Sequence, residues 1–346
     1  MGVRRSSIRT LGVHMQKFIN EPKDFVSECL EGIVDAHRGR LRICHGGRGV
    51  VRRDAPKTGK VGIVTGGGSG HLPLFLGYVG DGLADGVAVG EVFQSPRPSD
   101  IAQVTREVNA GLGVLYLYGN YGGDTLNFGL AEEELSAEGI GIATVLGIDD
   151  VASAPEEERE CRRGIAGMLL LYKVAGAAAA QGKTLEEVEG VALMASARLR
   201  SVGVALSPCV VASTGLPSFD LPEGQMEIGV GIHGEPGVAR FPWEPAERVA
   251  ERVVDLLFRE ARWTSPGRLG VVVNGLGGTS LEELYVLYRS VARLIRDKGF
   301  EIHRTWVGEF ATSFEMAGAS VSVMLLEQEL QELVDAPATS PFYAEQ

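Results

Sequence analysis

Short apolar segments that run directly into glycine-rich loops recur along the first half of this 346-residue chain. The first of them, K-V-G-I-V-T, ends in the loop G-G-G-S-G-H. Predicted strands lie at residues 60–65, 86–89, 113–118 and 140–147, with helix-like stretches between them at 98–109 and 127–136. Strands that alternate with helices predict an α/β fold with a largely parallel sheet, in which ligands bind beyond the carboxyl ends of the strands.

The rest of the chain predicts a second α/β unit. Predicted helices lie at residues 156–181, 184–200, 244–260 and 280–298, and predicted strands at 203–206, 227–232, 269–273 and 321–326. We therefore expect two α/β domains. The first, residues 15–198, should be a three-layer sandwich with a largely parallel sheet, and the second, residues 199–337, should be smaller with a mixed sheet. Residues 1–14 should form a disordered extension and residues 338–346 a tail.

The composition indicates a cytoplasmic protein that binds neither nucleic acid nor membranes. The formal net charge of -12 argues against nucleic acid, whose binders usually carry a basic surface. The apolar run at residues 164–182 is interrupted by Lys173, which favours a helix packed inside the protein over a membrane span. Four scattered cysteines without a C-x-x-C motif favour buried thiols in a reducing compartment: Cys29, Cys44, Cys161 and Cys209.

Two histidines lie in glycine-rich segments far apart in the sequence. His71 closes G-G-G-S-G-H at residues 66–71, and His233 lies in G-I-H-G-E-P-G at residues 231–237. Glycine lacks a Cβ, so backbone can approach a small ligand, and imidazole can act as a base, a nucleophile or a metal ligand near neutral pH. A tight turn and a structural histidine are the alternative interpretations. The first loop lacks the Lys-Ser/Thr ending of a P-loop and does not fit the dinucleotide-binding pattern.

Asp124 follows the strand at residues 113–118, within N-Y-G-G-D. An aspartate just before a predicted helix is most often an N-cap, but at a strand's carboxyl end it could also be a general base. His71, His233 and Asp124 together could hold a metal ion, although no short-range pair of ligands supports that hypothesis. We expect no metal on this chain.

These segments together resemble the substrate-binding K subunit of dihydroxyacetone kinases, from residue 15 to residue 337. The matching motifs, in order, are R-D-A-P (53–56), G-K-V (59–61), G-G-G-S-G-H (66–71), G-E-V-F-x-S-P-x-P (90–98), N-Y-x-G-D-x-L-N-F (120–128), Q-M-E (225–227), G-V-G-I-H-G-E-P-G (229–237) and L-x-E-L-Y (281–285).

The resemblance implies that His233 captures the ketone carbon of a short ketose, such as dihydroxyacetone, as a covalent hemiaminal. It also implies that His71 and Asp124 handle protons. Positions that it assigns to substrate binding are Gly68, Ser69, Gly70, His71, Gly119 and Asp124. A separate L-type subunit would carry ATP and magnesium, or another phosphodonor, so no cofactor is expected on this chain. A homodimer is implied as well.

The chain departs from the family pattern at three places. Gly119 stands where a lysine is common, Leu72 stands where an acidic residue is usual, and the segment between residues 258 and 269 is short. The space expected at Gly119 predicts room for a larger ketose, such as a tetrulose. The missing lysine also motivates an alternative, a non-catalytic sensor that captures the ketose and acts on a transcription factor. A metal-dependent hydrolase or lyase is a third hypothesis.

Overall fold

The computed structural model describes residues 17–212 and 214–345, so the predicted extension at residues 1–14 lies outside the described residues. In the described part, the helices are α1 (Phe25–Ala36), α2 (Pro98–Val108), α3 (Gly122–Ala137), α4 (Met168–Ala180), α5 (Leu185–Ala197), α6 (Ala246–Ala261), α7 (Leu281–Asp297) and α8 (Gln328–Asp335). The strands are β1 (Leu41–Ile43), β2 (Gly49–Arg52), β3 (Gly62–Ser69), β4 (Gly86–Val92), β5 (Val114–Gly119), β6 (Ile142–Gly147), β7 (Leu199–Ser207), β8 (Gln225–Ile228), β9 (Ala239–Pro242), β10 (Arg268–Gly275), β11 (Glu301–Glu309), β12 (Ala317–Leu325), β13 (Ala338–Thr339) and β14 (Ala344–Glu345).

The first sheet has the strand order β1-β2-β4-β3-β5-β6. The four strands from β4 to β6 are parallel, and β1 and β2 are antiparallel to their neighbours. Alternate residues of β3 and β5 point to opposite faces, so Ile63 and Leu115 pack with α4 and α5, whereas Val64 and Tyr116 pack with α2 and α3. Helices on both faces of a largely parallel sheet confirm the predicted three-layer sandwich.

The second sheet has the order β11-β10-β12-β7-β8-β9. Strands β10 and β11 pair in parallel and the remaining neighbours are antiparallel, which confirms the predicted mixed sheet. One face packs against α6 and α7, where Val271, Val321 and Val253 belong to one apolar cluster. Residues of the opposite face, such as Val272 and Met324, belong to the same apolar core as α4 and α8. Helix α4 therefore belongs to a core that both sheets share.

Helix α4 is buried along nearly its whole length, as its apolar sequence predicts. Lys173 within it donates to Glu345 at 2.5 Å and to the Ala336 carbonyl at 3.2 Å. The helix is shorter than the predicted helix at residues 156–181, which is wrong at its start: Glu156–Cys161 is a 3-10 turn and the α-helix begins only at Met168. The carboxylate of Asp149 accepts hydrogen bonds from the Ile165 and Gly167 amides and holds the intervening chain against the strand ends. No helix of the described residues has the length and apolar character needed to cross a membrane.

Residues 338–345, within the predicted tail at residues 338–346, form a hairpin of β13 and β14. Ala338 and Tyr343 are buried in the apolar core shared with α4, and the Trp306 indole donates to the Tyr343 hydroxyl at 2.9 Å. Burial of these two side chains explains why the segment folds back onto the protein.

The four cysteines are free thiols. Cys44 and Cys209 are buried, as predicted, whereas Cys29 is half-buried and Cys161 is exposed.

Candidate active site

The first glycine loop leaves the carboxyl end of β3 and lies close against the segment that follows β4. A Cβ on Gly68 would come within 2.7 Å of the Gln94 amide nitrogen, so only glycine fits there without a shift. Gly70 has φ +109°, a conformation that other residues rarely adopt. The hydroxyl of Ser69 donates to the Gly90 carbonyl at 2.8 Å. Two of the predicted substrate-binding positions, Gly68 and Ser69, thus fix the loop against its neighbour.

His71 is buried at the end of this loop and is neutral. Its Nδ1–H donates to the Thr312 carbonyl at 2.8 Å, an assignment that follows because a carbonyl can only accept. Nε2 therefore carries the lone pair, and among the described residues this buried atom has no hydrogen-bond partner. Burial, together with nearby His233, lowers the pKa of His71 to about 3. The ring stacks on Phe93, with 5.0 Å between ring centroids.

His233 lies in a turn, and the strand before it is shorter than the predicted strand at residues 227–232. Strand β8 ends at Ile228 because Gly229, at φ +84°, turns the chain. The His233 backbone amide and its Nδ1–H both donate to the carboxylate of Glu235, each at 3.0 Å. In the neutral imidazole, this pairing places the lone pair on Nε2.

Glu235 is ionised in this arrangement. Burial would raise the pKa of its carboxyl group, but the hydrogen bond from His233, electrostatic attraction to that ring and the guanidinium of Arg163 lower it to about 2. A carboxylate behind an imidazole orients the ring and stabilises the positive charge that develops when the opposite nitrogen forms a bond.

The two predicted histidines meet. The rings of His71 and His233 lie 4.7 Å apart between centroids and are nearly perpendicular, with an interplanar angle of 81°. The Tyr121 ring packs edge-on against His233 at 4.7 Å, and its hydroxyl donates to the Gly164 carbonyl at 3.0 Å. The structure therefore brings the two distant loops together at one place.

The free space that we expected at Gly119 is filled. A Cβ on Gly119 would lie 2.9 Å from a carbon of the Tyr121 ring and 3.3 Å from the Gly164 carbonyl oxygen. Gly119 therefore admits the aromatic ring that packs on His233, and the missing lysine does not leave a cavity at this position.

Asp124 is the third residue of α3 and does not cap it. The N-cap position is Tyr121, and no side chain caps the helix there, so the capping interpretation is wrong. Asp124 is buried instead, and its Oδ1 has no hydrogen-bond partner among the residues that the structure describes. Burial raises the pKa of Asp124 to about 6, while the Ser95 hydroxyl and His233 act in the opposite direction. It can therefore exchange a proton near neutral pH.

Sequence reasoning missed Glu235 and Arg163 as site residues. A glutamate two residues after a glycine-flanked histidine was a usable signal, because a tight turn can bring those side chains together. Arg163 offered no local signal, since it reaches the loop from a distant segment. Within residues 17–212 and 214–345, no group of three or more His, Cys, Asp or Glu side chains is arranged to hold a metal ion.

Residues 31–342 match the Dak1 domain. The chain belongs to the Dak1 domain family. This Dak1 domain is 44% identical to an L-erythrulose kinase of Pectobacterium atrosepticum over 333 residues, covering 95% of the chain but 56% of that protein. It is 40% identical to the dihydroxyacetone-binding subunit DhaK of a Listeria innocua PTS-dependent dihydroxyacetone kinase, covering 95% of the chain and 99% of the subunit. Among solved structures, a dihydroxyacetone kinase operon co-activator superimposes with a TM-score of 0.85 at 32% identity, covering 92% of this chain and 97% of the other.

Proposed function

We propose that this Dak1 domain captures a short ketose on His233 and presents it for phosphorylation by a separate subunit. The observation that carries the proposal is the position of the His233 ring, whose Nδ1 is paired with Glu235 while the ring packs against His71. Two further buried atoms that lack protein partners among the described residues, His71 Nε2 and Asp124 Oδ1, are suited to the hydroxyl and carbonyl oxygens of such a ligand.

The capture step is an addition to the ketone. The lone pair of His233 Nε2 forms a bond to the carbonyl carbon, and the π bond of the carbonyl places its electron pair on oxygen. The oxygen takes up a proton to become the hemiaminal hydroxyl, and the positive charge on the imidazole is balanced by the carboxylate of Glu235. Glycerol has no carbonyl, so a site of this kind selects ketoses over polyols.

We assign a different proton transfer to each of the two remaining polar groups, His71 and Asp124. His71 donates through Nδ1 to the Thr312 carbonyl and presents an Nε2 with no partner among the described residues, so we assign it to accept the proton of the hydroxyl that receives the phosphoryl group. Asp124, with a pKa of about 6, carries a proton part of the time near neutral pH, so we assign it to the ketone oxygen. Groups whose environments separate their pKa values in this way are suited to different roles.

We propose dihydroxyacetone or erythrulose as the substrate class, because the similar proteins named above act on or bind these two ketoses. In both compounds the ketone lies beside a hydroxymethyl group. The nucleotide and magnesium, or another phosphodonor, would belong to an L-type partner subunit. A homodimer and a cytoplasmic location belong to the same proposal.

Mass spectrometry of the intact protein tests capture directly. After incubation with dihydroxyacetone or erythrulose, the protein should gain the mass of one bound ketose, and His233→Ala should abolish that gain. His45→Ala, at an exposed histidine in another loop, is the control and should retain it. The absence of an adduct with every triose and tetrulose tested would contradict the proposal.

A second candidate function is a ketose sensor. It is favoured by the similarity to the operon co-activator, which covers nearly the whole of both chains. The two functions differ in turnover: a kinase subunit mixed with an L-type subunit, its phosphodonor and the ketose yields a ketose phosphate. A sensor forms the adduct but yields no product, and its adduct instead changes binding to a transcription factor.

A further inference from the structure

We propose that Arg163 is a positioning residue that aligns His233 through Glu235 and ties the two domains together at the site. The inference rests on the proposed function, since it concerns the same nucleophile. Arg163 lies in the segment before α4, far in sequence from the loop that carries His233.

The guanidinium of Arg163 contacts the loop that carries His233 at both of its ends. Its Nη1 lies 3.7 Å from Oε2 of Glu235, the oxygen that accepts the hydrogen bond from the His233 backbone amide. Its Nη2 donates to the Gly229 carbonyl at 3.1 Å, at the turn where β8 ends. Both ends of the short loop that carries His233 therefore contact the same guanidinium.

Asp150 also holds the Arg163 guanidinium in place. Arg163 donates to Oδ2 of Asp150 from Nε at 3.1 Å and from Nη2 at 2.8 Å. Asp150 is fully buried, and its Oδ1 accepts from the Ala152 amide at 3.1 Å. An arginine fork held at several points has little freedom to reorient, which a lysine could not reproduce. The first domain thus sets the position of a loop in the second.

Gly231 supplies an independent observation for the same pair. A Cβ at this position would lie 2.1 Å from Oε2 of Glu235 and 2.5 Å from Nη1 of Arg163. The two charged groups therefore pack directly over the Gly231 backbone, in space that any side chain would occupy. The glycine before His233 is explained by the ion pair as well as by access for a ligand.

The charge of Arg163 has a consequence for pH dependence. The charged or titratable groups that face Glu235 are Arg163, His233, His71 and Tyr121. Burial holds the Tyr121 phenol in its neutral form, since its pKa lies well above the usual value. The positive charge of Arg163 helps to hold the pKa of the Glu235 carboxyl down, so removing the guanidinium would raise that pKa. The carboxylate that orients His233 would then be lost at a higher pH, and capture would fail at a higher pH.

The rate of adduct formation, measured by mass spectrometry across pH, tests this role with Arg163→Met and Arg163→Lys. We expect Arg163→Met to slow capture roughly 10- to 100-fold and to move the acid midpoint of the rate to higher pH. Arg163→Lys keeps the charge but not the fork, so it should retain the midpoint of the wild type with an intermediate rate. Arg248→Met, at an exposed arginine paired with Glu251, is the control and should change neither quantity.

The outcomes separate this inference from the proposed function. A wild type that forms no adduct contradicts the function itself. A wild type that forms the adduct, with Arg163→Met equal to it in rate and midpoint, overturns the positioning role. Equal slowing in both Arg163 variants without a midpoint shift would indicate a purely structural role and would also overturn it. If Arg163→Met does not fold, Arg163→Lys and Gly231→Ala decide, since each should slow capture while both charges remain.

Discussion

The two histidine loops hold the same side chain in opposite ways. His71 is completely buried and donates to a backbone carbonyl, which fixes its tautomer without adding a charge. His233 is partly exposed and donates to the carboxylate of Glu235. A neutral partner and burial leave an imidazole that can only accept a proton, whereas an anionic partner favours an imidazole that can become positively charged. In the proposed function, the partner of Nδ1 therefore distinguishes the base, His71, from the nucleophile, His233.

Each loop is also anchored by the domain to which it does not belong. The His71 loop, from the first sheet, is held by residues that follow β11: the Thr312 amide donates to the His71 carbonyl at 3.2 Å, and the Phe314 amide donates to the Gly70 carbonyl at 2.9 Å. The His233 loop, from the second sheet, is held by Arg163. Because each loop is held by residues of the other domain, the arrangement of the two loops depends on both domains being packed together. The geometry of the candidate site is therefore linked to the shared core around α4.

Replacing His71 should give the largest effect and separates the two roles most clearly. We expect His71→Asn to lower turnover roughly 10²- to 10⁴-fold, the usual contribution of general base catalysis. The adduct on His233 should still form, because Glu235 orients that ring independently. Coupled assays of ketose phosphate, together with adduct masses, measure both. His303→Asn, at a histidine paired with Asp335 on the surface, is the control, and loss of the adduct in His71→Asn would show that the roles are not separable.

Asp124 is buried like His71, but it is a carboxyl group whose pKa is raised, and its substitution should stabilise the protein. Its pKa of about 6, against 3.8 for the free side chain, means that the folded protein loses stability as the pH rises between those values. The loss is up to about 3 kcal/mol, because a tenfold change in proton affinity corresponds to about 1.4 kcal/mol.

Asp124→Asn cannot ionise, so relative to the wild type it should gain free energy of unfolding from pH 4 to pH 7 and reach a plateau above. Denaturant unfolding of both proteins at several pH values measures the difference, and Asp100→Asn, at a carboxylate paired with Arg97, is the control. A difference in the free energy of unfolding that does not vary with pH would contradict the raised pKa of the buried Asp124 carboxyl group. The same variant should lose turnover, since the gain in stability removes a proton-transfer group.

The sequence allowed the sheet types and most of the helices to be predicted, because apolar periodicity and glycine loops are local signals. The errors occurred where distant contacts override local preference. The apolar, alanine-rich run before residue 181 predicted a long helix, but Asp149 draws the segment before Met168 out of helical geometry. Strand β11 was missed because its mostly polar, half-exposed sequence gives no apolar run. The hairpin at residues 338–345 depends on the contact between Tyr343 and Trp306, which are 37 residues apart in the sequence, with β12 and α8 between them.

The sequence predicted those residues of the candidate site that lie within local motifs. Both histidines and Asp124 lie in glycine-rich segments at strand or turn ends, and these residues converge in the structure. What the motifs could not indicate is how each group is held. Arg163, Thr312 and Tyr121 act through contacts between elements, which no spacing within one motif encodes. The expected cavity at Gly119 was wrong for the same reason, since a ring from two residues later occupies it.

Adding a methyl group at Gly119 should give the smallest effect. It tests whether the Tyr121 ring influences only the step at His233, which is capture of the ketose. In Gly119→Ala the new Cβ would lie 2.9 Å from the Tyr121 ring, which is also held by its hydroxyl bond to Gly164, so the ring must shift away from its place against His233. Overpacking of this kind typically costs about 1–3 kcal/mol in stability, and we expect capture of the ketose to slow about tenfold.

The aromatic rings that pack on His71 in the described part of the chain are Phe75, Phe93 and His233, whereas Tyr121 packs on His233. The comparison therefore becomes sharper if Gly119→Ala alters adduct formation while phosphorylation of the adduct, once formed, keeps its rate. Single-turnover measurements on preformed adduct separate the two steps. Gly129→Ala is the matched control on α3, because a Cβ there meets no atom within 4 Å, and it should leave both steps unchanged. Equal slowing of capture and phosphorylation in Gly119→Ala would mean that the two loops respond as one unit. The proposed separation of roles between His71 as base and His233 as nucleophile would then not hold.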